Sequence, residues 1–61
     1  MTKQDYMNAL SNALRKHGVA DSDDIMSEYE QHFLFKLADG FKEEEIAAKL
    51  GDPETIATQF A

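Results

Sequence analysis

The chain has 61 residues and no cysteine, so it holds one small domain without disulfides, thiolate metal sites or a cysteine nucleophile. Six Lys and Arg stand against 12 Asp and Glu, a formal charge of -6, which argues against a nucleic-acid backbone or an anionic lipid surface as the main partner. A hydrophobic content of 43% is too high for a disordered chain, and no apolar run approaches the ~18 residues of a membrane span.

The spacing predicts a first helix from about Lys3 to His17. Thr2 is its N-cap, and Asp5 stands where a capping box places its acid. Tyr6, Met7, Leu10, Ala13 and Leu14 make one apolar stripe. Arg15, Lys16 and His17 suit the negative end of the helix dipole, and Gly18 supplies a left-handed stop. A second helix is capped by Asp21 or Ser22 and carries Asp23 and Asp24 in its first turn. Ile25, Tyr29, Phe33 and Leu37 form its inner ladder, and it ends near Asp39 with Gly40 as the stop. Phe41 and Lys42 lead into a short third helix. Its first turn is Glu43, Glu44 and Glu45, and Ile46, Ala47 and Leu50 are its apolar side. Gly51 ends it. Asp52 followed by Pro53 then starts a fourth helix as N-cap acid and first-position proline, and Ile56, Ala57 and Phe60 form its inner face.

The pattern is all-α: a small four-helix domain of two longer antiparallel helices, then two short ones packed across their C-terminal ends. The expected core is Tyr6, Leu10, Leu14, Ile25, Tyr29, Phe33, Leu37, Ile46, Leu50, Ile56 and Phe60. A core this small rarely supplies more than about 3–5 kcal/mol, so the chain is expected to pack very efficiently, to associate or to belong to something larger. Gln59-Phe60-Ala61 still reads as helix, which favours a fragment of a longer polypeptide.

Candidate chemistry is sparse. Asp24, Glu28 and His32 are spaced by four and could offer a divalent cation three ligands, but one straight helix rarely closes a coordination sphere. A solvated polar face explains them, and no metal or cofactor is expected. His17 and His32 could titrate near neutrality, yet the helix end explains the first and Glu28 the second. Glu43, Glu44 and Glu45 need only the helix dipole. With no Ser–His–acid set and no Gly-rich phosphate loop, no enzyme is expected. The rhythm from Ile46 to Ala57 invites a DNA-reading helix-turn-helix, but its second helix would be Glu54 to Gln59, without Arg or Lys. Phe35 lies roughly 200° from Phe33 around the second helix, on the side of Glu28, Gln31 and Ala38. Leu34 and Phe35 are therefore the expected protein contact, unless the last two helices cover the ring. Gly40, Gly51, Asp52 and Pro53 are structural turn residues.

The strings Glu28-Tyr29-Glu30-Gln31-His32-Phe33, Asp39-Gly40, Glu43-Glu44-Glu45-Ile46 and Leu50-Gly51-Asp52-Pro53-Glu54-Thr55-Ile56-Ala57 carry a resemblance. With these spacings the chain resembles, over nearly its whole length, the HAAS domain, the helix-turn-helix-associated α-helical signalling module. It departs at Lys42, where that pattern places a Ser-like cap, and at Phe33-Leu34-Phe35, which is more apolar than the pattern asks. The resemblance implies a non-enzymatic interaction or signal-transfer module. It would stand at the N-terminus of a bacterial membrane protein, on the cytoplasmic side of the cell membrane, beside a PadR-like transcriptional regulator. The parent would be membrane-embedded beyond Ala61. The implied partner is a protein, either that regulator or a second copy in a homo-oligomer, with no direct contact to nucleic acid. Two other readings stay open, a helix-turn-helix-like DNA-binding adaptor and a free-standing oligomerisation domain.

Overall fold

Thr2 is extended, and its hydroxyl accepts the Asp5 backbone N–H at 3.1 Å while the Asp5 carboxylate accepts the Thr2 N–H at 3.5 Å. This reciprocal cap, predicted from the sequence, satisfies two of the free donors of a helix start. In the computed structural model, which describes all residues from Met1 to Ala61, it opens α1, Lys3–Lys16. The helix closes one residue earlier than predicted, with His17 as its C-cap. Its end is a Schellman motif: Gly18 N–H donates to the Arg15 carbonyl at 3.1 Å and Val19 N–H to the Leu14 carbonyl at 3.0 Å.

The second long helix, α2, spans Ser22–Ala38 and ends by the same device. Gly40 N–H donates to the Leu37 carbonyl at 3.0 Å and Phe41 N–H to the Lys36 carbonyl at 3.1 Å. Its start differs from expectation. Asp21 holds the N-cap position, but its side chain makes no capping hydrogen bond. At φ -96° and ψ 35° Asp21 is not in the extended conformation from which a cap side chain reaches forward. Asp23 and Asp24 still face the positive end of the dipole.

The short helices are α3, Glu43–Leu50, and α4, Pro53–Phe60. Lys42 has no acceptor to offer as a cap, yet Glu45 Oε1 reaches back to accept its backbone N–H at 3.1 Å, so half of a capping box survives. Asp52 caps α4 as predicted, accepting the Glu54 N–H at 2.9 Å with Pro53 inside the first turn. Asp52→Ala removes that acceptor and is expected to cost ~0.5–2 kcal/mol. A thermal melt of the variant that overlays the wild type would count against the cap.

α1 is the central element and packs against all three others; α2 also meets α3, whereas α4 lies on α1 alone. The short helices therefore do not close over both C-terminal ends, as the sequence suggested. Instead α3 begins beside the N-terminus of α1, where the Lys3 N–H donates to Glu43 Oε1 at 2.7 Å. The largest fully buried side chains are Tyr6, Leu10, Leu14 and Phe33. The Tyr6 and Phe33 rings sit 5.5 Å apart at 56°, a tilted aromatic pair. Ile25, Ile46 and Ile56 complete the predicted core, with Ala13, Ala47 and Ala57 allowing close helix approach. Four predicted core residues are corrected. Tyr29 and Leu37 on α2 and Leu50 on α3 are only half-buried at the margin of the core, because α4 lies on α1 alone and covers neither of those helices. Phe60 is 46% exposed, since α4 has no second helix on its far side. No helix is long and apolar enough to cross a membrane.

Candidate interaction face on α2

Seven residues of α2 share one arc of roughly 120° at 100° per residue: Asp24, Ser27, Glu28, Gln31, Leu34, Phe35 and Ala38. All seven are exposed. The stripe thus runs the length of the helix on the side away from Phe33. Its halves differ. The N-terminal half carries Asp24 and Glu28, and the C-terminal half carries Leu34, 51% exposed, and Phe35, 68% exposed. Phe35 is the most exposed large apolar side chain of the molecule, so neither α3 nor α4 covers it.

Electrostatics sharpen the contrast. Lys36, the basic residue in the last turn of α2, turns off the stripe and places its ammonium 5.2 Å from the centre of the Phe41 ring. The three ion pairs are Lys3 with Glu30, Lys16 with Glu54 and His17 with Glu54, and none uses Asp24 or Glu28. The stripe is therefore acidic at one end, apolar at the other, and free of cations.

The remaining candidates fall elsewhere. A step of four residues advances about 40° around a helix, so His32 is turned well away from Asp24. It lies in a hollow with Lys36, Phe41 and Lys49 instead. No group of three or more His, Asp and Glu side chains is gathered to hold a metal ion. The outer side of α4 presents Thr55, Thr58 and Gln59 without Lys or Arg. Gly40 and the Gly51-Asp52-Pro53 corner sit where the turns need them, with Pro53 buried under the start of α4.

The corner is tied to α1 and its C-cap by three hydrogen bonds that local sequence reasoning does not find. Glu54 Oε1 lies 2.7 Å from His17 Nε2 and accepts from Lys16 Nζ at 3.1 Å, and these hydrogen bonds, His17 first, hold its carboxyl below the usual range. The Tyr6 hydroxyl donates to the Gly51 carbonyl at 2.9 Å, at the edge of an open cleft of about 340 Å³ beside Glu44 and Pro53. Burial pushes the Tyr6 phenol up to about 12, with the nearby Tyr29 and Asp52 adding to it. A raised value means the folded state holds this proton more tightly than the unfolded chain. The stabilisation is present below the ordinary tyrosine range near 10 and is lost as pH rises through about 12. Tyr6→Phe is expected to cost ~0.5–1.5 kcal/mol at neutral pH. The gap between variant and wild type should then narrow as pH rises from about 10 to about 12, the interval in which the unfolded chain has lost this proton and the folded one still holds it. Urea melts across that range check this; a gap that stays constant with pH would contradict it.

The family model described as HAAS matches residues 5–59, which leaves out only the two ends of the chain. No curated protein and no solved structure matches it.

Proposed function

The chain belongs to the HAAS family, whose membership indicates a signalling or regulatory module, and on that premise we propose that it works without catalysis, as a docking domain on the cytoplasmic side of a bacterial membrane protein. Its partner in this reading is a PadR-like transcriptional regulator. The observation that carries the docking role is the exposed Leu34–Phe35 pair on α2. A Phe held away from the core loses the benefit of burial unless another surface covers it. Aromatic anchors of this kind tend to dominate binding energy when they enter a partner's pocket.

The same reading keeps nucleic acid outside the direct contacts. The net charge is -6, and α4 has no Arg or Lys to meet a phosphate or a guanine. It also assigns no cofactor and no reacting group.

The test is calorimetric titration of the chain with a purified PadR-like regulator from the same bacterium. Saturable binding that Phe35→Ala weakens by roughly tenfold or more is the expected result. Absence of binding, or sequence-dependent binding of duplex DNA by this chain alone, would contradict the proposal.

A further inference from the structure

We infer that the surface received by α2 is a cationic amphipathic helix, with apolar side chains to cover Leu34 and Phe35 and Lys or Arg to meet Asp24 and Glu28. This rests on the docking role of α2 and adds the chemistry of the occupant. Two observations select it. The first is the grading of the stripe. Leu34, Phe35 and Ala38 are exposed at the C-terminal end, and Asp24 and Glu28 are exposed and without ion-pair partners at the other. A helix laid along α2 at the usual separation of about 8–10 Å brings its side chains within reach of both halves at once. The second is the charge of the whole molecule. In a symmetric contact a second copy would present the same stripe, so the carboxylates would face a surface with no cation on it. Two chains of formal charge -6 also repel over the approach. A cationic helix meets neither obstacle.

The probes are two synthetic amphipathic helices with the same leucine face, one with lysine and one with glutamate on the polar face. Each is titrated into the wild-type chain and its variants at low and at high salt. The lysine helix is expected to bind and the glutamate helix to fail, with binding that weakens as salt rises. Phe35→Ala should weaken it by roughly tenfold or more. The double variant Asp24→Asn with Glu28→Gln should weaken it too and flatten the salt dependence. Glu44→Gln, which removes an exposed acid on α3, should change nothing. Equal binding of both helices overturns the inference, as does a loss with Glu44→Gln as large as with the α2 double variant. If the regulator binds at Phe35 while the lysine helix does not, the charge inference fails and the docking role stands. If Phe35→Ala alters no binding of any kind, both fail.

Discussion

Phe33→Ala is expected to leave the domain unfolded at room temperature, whereas Phe35→Ala leaves it folded. The two rings are two residues apart in one helix, but Phe33 has no exposed surface and Phe35 is 68% exposed. Phe33 is one wall of the aromatic pair with Tyr6 that joins α2 to α1. Truncating a buried Phe to Ala costs roughly 3–5 kcal/mol, from lost burial and from the cavity left behind. That is about the whole stability that a core of this size supplies. At Phe35 the ring already meets water, and a surface substitution of this kind stays within about 0.5 kcal/mol. Circular dichroism melts of both variants over a range of concentrations decide the point. A Phe33→Ala chain with a cooperative melt near that of the wild type would show that the core is organised differently.

Gly51→Ala is expected to destabilise by about 1–3 kcal/mol, and the cost is entirely one of backbone conformation. Gly51 has φ 90° and ψ -175°, a combination that side chains of L configuration all but exclude. An added Cβ would meet nothing within 4 Å, so no clash enters the balance. The residue cannot simply relax, because its carbonyl is held by the Tyr6 hydroxyl and the next residue caps α4. The strain therefore falls on the corner that sets α4 against α1. Chemical synthesis supplies the control. D-alanine at this position favours the mirror-image conformation and should restore the midpoint of a urea melt. Equal stability of the L- and D-alanine chains would contradict the explanation.

What was legible in the sequence is what local chemistry determines. Thr2 with Asp5, Gly18, Gly40 and the Asp52-Pro53 step each act within a few residues, and each stands where it was read. Asp21 is the exception, because a cap also needs a backbone angle that residue identity alone does not set. Burial was less legible wherever it depended on the placement of another helix. Tyr29, Leu37 and Leu50 have the right period for a core, but α4 lies on α1 and not over them. Phe60 fails for the same reason. The tie between His17 and Glu54 joins residues far apart in sequence, and no spacing rule reaches that far. Phe35 was half legible: its angle from Phe33 excludes it from the inner ladder, but only the fold decides whether another helix covers it.

The most direct test of the docking role is a map of backbone amide shifts as a PadR-like regulator is titrated into the isotope-labelled chain. Shifts are expected along α2 at Asp24, Ser27, Glu28, Gln31, Leu34, Phe35 and Ala38, with the largest at Leu34 and Phe35. Amides around Gly51 and Asp52 should stay still. Shifts gathered on α4 or on the cleft beside Tyr6, with the α2 stripe unmoved, would contradict it.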